Sequence, residues 1–212
     1  MVVYEPFPTV PLSEFHDELR FEWPELPAPL FDHYLLKTAV DMAEKGALVR
    51  RWVAIELEPG VTRYLMQSPD GMRLWQILGV RQSDCSFECS HEVRRSFVPP
   101  ETCCVNDVAW FSPEDNVLHY SGCAGGTLYV SLSVVPERDA CVLPRVYKDR
   151  YYSTLVMGAR AHIMLITGQK WTNMRVGAEL LNEYNRMLRE DAVEVLTKGQ
   201  RGKLKMQFGR VM

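Results

Sequence analysis

The sequence lacks the features that mark several large classes of protein. Its 212 residues contain no apolar run close to the roughly 18 residues that a membrane-spanning helix needs. The first ten residues include two prolines and one glutamate but no basic residue, which is not the composition of a secretory signal. With 47% hydrophobic and 24% charged residues, the chain is neither disordered nor collagen-like. We therefore expect a protein with a substantial core and no membrane partner.

Motifs for enzymatic chemistry are also missing. The chain has no glycine-rich phosphate loop, no nucleophile elbow and no metalloprotease motif. A nucleophilic cysteine needs an electropositive setting and an orienting third group, and neither surrounds the pairs Cys89–His91 and His119–Cys123. The sequence predicts a protein that is not an enzyme and needs no cofactor. A cysteine- or metal-dependent enzyme is the less favoured alternative.

Paired cysteines with the spacing of a zinc site are absent as well. Six cysteines are present, and four of them fall near one histidine in the pattern Cys85-x3-Cys89-x-His91, followed by Cys103-Cys104. Structural zinc sites use short paired spacings such as C-x2-C. Neighbouring residues on a strand point to opposite faces, so we do not expect Cys103 and Cys104 to bind the same ion. We favour small buried side chains in a β region over a metal site.

Overall charge is small, but its distribution along the chain is uneven. The net charge is −3. Residues 1–32 contain seven acids and one base, whereas residues 198–212 contain five bases and no acid. Such asymmetry suggests that the two ends meet partners of opposite sign. These partners are each other, neighbouring copies or nucleic acid.

Helical periodicity occurs at both ends of the chain. Apolar residues recur at helical spacing over 11–19, 29–48, 145–167 and 174–198. Three prolines within 23–29 separate the first two helices, because proline removes a backbone donor and disfavours helix in the residue before it. The last two helices are joined by a short linker, which is typical of a helical hairpin.

The middle of the chain changes to the alternation of short strands separated by turn residues. The predicted strands cover 51–57, 61–66, 72–80, 107–111, 117–120 and 127–134. The sequence therefore predicts an α+β fold. Its parts are a helical domain (1–49 and 143–198), an inserted antiparallel β-sandwich or barrel (50–142) and an extended C-terminal arm (199–212).

The arm carries the sharpest charged pattern in the sequence. The candidate partner-binding residues are Lys198, Arg201, Lys203, Lys205, Met206, Phe208 and Arg210. Such a segment is either a solvated chain end or a docking arm that orders on a partner protein. Its cations also suit weak nucleic-acid binding, which gives the alternative function of a nucleic-acid-binding module.

A second group of candidate residues lies in the C-terminal helices and their linker. We assign these residues to a subunit interface. Its members are Tyr151, Gly158, Ala159, Arg160, His162 and Trp171. The small residues allow a helix to approach a neighbour closely. His162 is typical of a position in the protein interior or at an interface. Trp171 is either a hydrophobic lid on the hairpin or a recognition residue.

The order of motifs resembles the head-to-tail adaptor proteins of short-tailed bacteriophages, the tail tubular protein A-like group. The segments that carry the resemblance are 47–52 (ALVRRW), 57–64 (LEPGVTRY), 143–144 (LP), 158–161 (GARA), 168–173 (GQKWTN) and 183–185 (EYN). Gln169-Lys170 departs from the glycine or lysine followed by proline that is frequent there. The resemblance covers about residues 29–198, and residues 81–125 have no counterpart.

The resemblance implies a structural virion protein of the neck, assembled in the host cytoplasm. It would form a homo-oligomeric ring, of twelve copies in that family, beneath the portal protein after DNA packaging. The tail nozzle protein would attach to its other face, and exiting DNA is a further expected contact. The helical part would face the portal and neighbouring subunits, with the β module at the periphery or tail side.

Overall fold

A computed structural model describes residues 8–83, 90–92, 94–95, 108–121 and 126–199. The fold is mixed α+β, as the sequence predicts. A short 3₁₀ helix (Leu12–Phe15) precedes the first α-helix. The α-helices of the described residues are α1 (His16–Glu22), α2 (Ala28–Gly46), α3 (Val146–Asp149), α4 (Tyr152–Met164) and α5 (Met174–Gly199). None of these helices is long and apolar enough to cross a bilayer.

The strands lie mainly between α2 and α3. They are β1 (Thr9–Pro11), β2 (Arg50–Glu56), β3 (Arg63–Leu65), β4 (Met72–Ser83), β5 (Ser90–Glu92), β6 (Arg94–Arg95), β7 (Val108–Ser112), β8 (Val117–Ser121), β9 (Thr127–Pro136) and β10 (Val142–Pro144). One four-stranded sheet has the order β2-β9-β4-β5 and another the order β3-β8-β7-β6. All described pairs are antiparallel except β6 with β7, which is parallel.

A two-stranded sheet joins the beginning of the chain to the return into the helices. β1 pairs with β10, and the backbone N–H of Arg145 donates to the carbonyl of Pro8 at 2.8 Å. The helix predicted over 11–19 therefore begins later, as a 3₁₀ turn, because Pro11 is extended (φ −67°, ψ 150°) and belongs to β1. Residues more than 130 positions apart along the chain thus pair with each other, which joins the N-terminal helices to the C-terminal ones.

The single helix predicted over 145–167 is two helices in the structure. Arg150 and Tyr151 leave helical geometry between α3 and α4, with φ values of −129° and −112°. Both Tyr147 and Tyr151 are buried, and the Tyr147 hydroxyl donates to the carbonyl of Ala39 in α2 at 2.9 Å. This break allows two large rings to enter the core at the start of the return segment.

The core is one contiguous cluster that includes helices and strands. α2 contacts β9 on one side and α4 and α5 on the other. Phe31, Leu35 and Ala39 of α2 are fully buried, as are Leu132 and Val134 of β9. Residues that the sequence assigns to a helical domain and to a β module therefore share one core, and the proposed domain boundaries remain a prediction.

Candidate interaction surfaces

Gly158 and Ala159 lie where α4 crosses α2 and α5. A Cβ atom at Gly158 would lie 2.4 Å from Cγ2 of Thr38 and 2.8 Å from Cδ2 of Tyr184. Ala159 has no exposed surface. The sequence assigned both residues to contact with a neighbouring copy, but in this fold their contacts are with helices of their own chain. Glycine is required here for close packing, since these distances leave no room for a side chain.

Two hydrogen bonds, one from a tyrosine hydroxyl and one from a threonine hydroxyl, reinforce this helix crossing. The Tyr184 hydroxyl donates to Oδ2 of Asp41 at 2.7 Å, and the Thr154 hydroxyl donates to Oδ2 of Asp191 at 2.8 Å. Burial, followed by the hydrogen bond to Asp41, raises the pKa of Tyr184 far above its usual range. The Tyr184 hydroxyl therefore stays a protonated donor at physiological pH, and the two hydrogen bonds tie α5 to α2 and α4 to α5.

Tyr151 is also inside the subunit, with 1% of its surface exposed. Its ring meets that of Tyr147 edge to face at 6.5 Å, and the guanidinium of Arg150 lies 5.5 Å from its centroid. Tyr151 lines a small cleft of about 280 Å³ together with Arg50, Arg145 and Arg150. Burial raises the pKa of the Tyr151 hydroxyl. Arg145 and Arg150 of this cleft are each paired with an acid of the same chain, and the tyrosine itself serves packing.

Arg160 is partly exposed and binds acids of the N-terminal helix. Its Nε lies 2.8 Å from Glu22 and its Nη2 lies 4.0 Å from Glu18. Two further acids of the N-terminal region also have partners within the chain, Glu14 with Lys148 and Asp32 with His16. Glu14, Glu18 and Glu22 are therefore paired with basic residues of their own chain, and Asp32 is hydrogen-bonded to His16.

His162 is half-buried on α4, where it faces α2. Its ring stacks on that of Tyr34 with centroids 6.3 Å apart. Burial lowers the pKa of His162, and the nearby charges of Lys37 and Lys45 lower it further, against the opposing effect of Asp41. These effects therefore favour the neutral form of the imidazole in the folded chain.

This lowered pKa predicts a pH dependence of stability. The unfolded chain binds a proton at His162 near the usual pKa of 6.5, while the folded chain resists it. The free energy of unfolding should therefore fall as pH drops below about 6.5. Urea unfolding at pH 7.5 and 5.5 should show a smaller loss for His162→Gln than for the wild type. The exposed residue His33 on α2 provides the control His33→Gln, and equal losses in all three proteins would contradict the prediction.

Trp171 lies in the linker between α4 and α5 and packs partly against the core. Its indole Nε1 is buried and has no hydrogen-bond partner among the residues that the structure describes. The Thr172 hydroxyl donates to the Ile166 carbonyl, and the Asn173 side chain caps α5 by accepting from the N–H of Val176 at 3.2 Å. The linker is therefore internally braced around the tryptophan.

The remaining candidates lie at or beyond the limit of the described chain. Lys198 belongs to the last turn of α5. The other candidates of the arm are outside the described residues, namely Arg201, Lys203, Lys205, Met206, Phe208 and Arg210. Five of the six cysteines also lie outside, and Cys141 is an exposed free thiol. Within the described ranges, no group of three or more His, Cys, Asp or Glu residues is placed to hold a metal ion.

Two surface features had no signal in the sequence. An open cleft of about 790 Å³ lies between α2 and residues 138–141, and the 3₁₀ turn forms part of its wall. Phe21, on the outer side of α1, is 93% exposed. Helical periodicity places apolar residues on a face, but it does not tell which face remains uncovered after folding. Both features are therefore visible only in the tertiary structure.

No protein-family model matches the sequence, and no curated protein matches it either.

Proposed function

We propose that this protein is a head-to-tail adaptor of a short-tailed bacteriophage, which forms a ring between the portal and the tail nozzle. One observation carries the proposal. Helix α5 packs along α2 and α4 and extends to Gly199, immediately before the basic segment of the sequence. A binding segment attached to a rigid, packed helix is positioned by the whole body of the subunit. This arrangement suits a structural connector.

The finer architecture of the proposal follows the sequence prediction. The two four-stranded sheets would form an inserted sandwich, α4 and α5 a helical hairpin, and residues 199–212 an extended arm. Arm residues such as Lys203 and Arg210 would bind acidic groups of the portal, while Met206 and Phe208 would fill apolar sites. Such a segment gains its contacts only when it orders on a partner, so the free protein would be mainly monomeric at low concentration before assembly.

The proposed subunit interface is narrower than the set of candidates from the sequence. Tyr151, Gly158 and Ala159 would act indirectly, by fixing α4 against α2 and α5. Arg160, His162 and Trp171 keep part of their surface exposed and remain candidates for direct contact. Contacts through these residues would repeat from copy to copy and generate the ring.

Cosedimentation with portal rings tests the proposal. The portal protein encoded by the same phage genome is purified as rings and mixed with the full chain. We expect the chain to pellet with the rings at a fixed, saturable ratio and to remain in the supernatant alone. The absence of saturable binding at micromolar concentration would contradict the proposed function. Binding of DNA fragments that falls steeply with salt, without portal binding, would favour the alternative function.

A further inference from the structure

Phe21 projects from the subunit on a short charged face of α1. Asp17, Arg20 and Phe21 are exposed and lie together at positions i, i+3 and i+4 of the helix. Opposite them, Leu19 is fully buried, so α1 is fixed on the body by its other side. The phenylalanine is therefore a rigidly presented aromatic group that has almost no contact within its own chain.

The open cleft offers apolar surface to such a side chain. Its apolar floor includes Leu12, Leu36 and Ala140, each less than 10% exposed. The volume of about 790 Å³ lies within the range of sites that bury a ligand or an anchoring side chain. Phe21 does not line this cleft. An aromatic side chain from a different molecule can therefore enter it.

Charges around the two features are also complementary. The cleft is lined by the basic residues Lys37 and Arg138 and by the acidic residues Asp32 and Asp139, of which Asp32 is paired with His16. Arg20 and Asp139 are exposed and form no ion pair with another described residue. A phenylalanine seated on the floor would bring its neighbours Arg20 and Asp17 towards the rim, where an acid and a base are available to them.

We propose that Phe21 of one copy inserts into the cleft between α2 and residues 138–141 of a second copy. The inference rests on the proposed ring, and it names the contact between neighbouring subunits. Because the inserted residue and the cleft are different surface patches, the contact is heterologous. A heterologous contact leaves one cleft and one Phe21 open after each step, so that it propagates until the ring closes.

Photo-cross-linking tests this contact while keeping an aromatic side chain at the position. The full chain with Phe21→p-benzoylphenylalanine is mixed with an isotopically labelled wild-type chain at high concentration and irradiated. We expect labelled-to-unlabelled cross-links to peptides that contain residues 29–40 or 138–141. The matched control is the same replacement at Leu65, which is 71% exposed on β3 and should not link to these peptides. Cross-links elsewhere, or none between chains, would overturn the proposal.

Charge reversal provides a second test of the contact. The substitutions are at exposed residues, so they should leave the fold intact. Arg20→Glu should weaken self-association about tenfold or more, because it places like charges against Asp139. Adding Asp139→Arg on the same chain should restore association towards the wild-type dissociation constant measured by sedimentation. Absence of rescue, or no self-association of the wild type, would overturn the contact. If either result is obtained while the wild-type chain still cosediments with portal rings, only the contact is contradicted. If the wild-type chain does not cosediment with portal rings, the proposed function is contradicted.

Discussion

Replacement of Gly158 by alanine should lower the free energy of unfolding by about 1–3 kcal/mol, although alanine is the better helix former by about 1 kcal/mol. The added Cβ would lie 2.4 Å from Cγ2 of Thr38, so α4 has to move away from α2. The same atom would meet the ring of Tyr184 at 2.8 Å, which blocks movement towards α5. Urea unfolding monitored by tryptophan fluorescence measures the change.

Two further variants separate overpacking from a change of helix propensity. Ser153→Ala, at an exposed position of the same helix, should change stability by less than about 0.5 kcal/mol. Thr38→Ser removes the clashing methyl group but keeps the hydroxyl that donates to the Tyr34 carbonyl at 2.7 Å. In the Gly158→Ala background it should recover part of the lost stability. A Gly158→Ala protein as stable as the wild type would contradict the packing that we describe.

Deletion of residues 199–212 should weaken binding to the portal ring by at least about 100-fold, which corresponds to roughly 2.7 kcal/mol. The deletion removes four of the five basic residues of the C-terminal segment and the apolar side chains of Met206 and Phe208. Anchoring aromatic groups and paired charges dominate the binding energy of many interfaces. The affinity is measured by titration of labelled chain against purified portal rings.

A neutralised arm separates charge from apolar anchoring in this experiment. Replacing Arg201, Lys203, Lys205 and Arg210 with glutamine keeps the length and the apolar residues of the segment. Its affinity should lie between those of the wild type and the truncated chain and should depend less on salt. Equal thermal midpoints for all three proteins would show that the fold is kept. Unchanged portal binding by the truncated chain would contradict the role of the arm.

Local patterns in the sequence predict most of the helices and strands. The predicted helix over 29–48 is α2, and the predicted strand over 127–134 is β9, each within about two residues. Features that depend on distant residues are not predicted. The pairing of β1 with β10 needs partners from opposite ends of the chain, and the break at Arg150 depends on the burial of Tyr147 against α2.

The sequence predicts the candidate interaction surfaces less well than it predicts the fold. Small residues at Gly158 and Ala159 indicate a close helix contact, but residue size does not tell whether the partner helix belongs to the same chain. The uneven charge of the two chain ends likewise suggested that they meet each other, neighbouring copies or nucleic acid. In the fold, Glu14 and Glu22 instead pair with Lys148 and Arg160. Tertiary contacts decide which of these charges and small residues remain available at the surface.

Electron microscopy of the full chain mixed with the portal rings used for cosedimentation tests the central claim most directly. Averaged side views should show an added layer of density on one end of each portal ring, and end views should show a closed ring of identical subunits. The layer should be absent from portal rings alone. Portal rings that look unchanged in the presence of saturating protein would contradict the proposal that this protein is a head-to-tail adaptor.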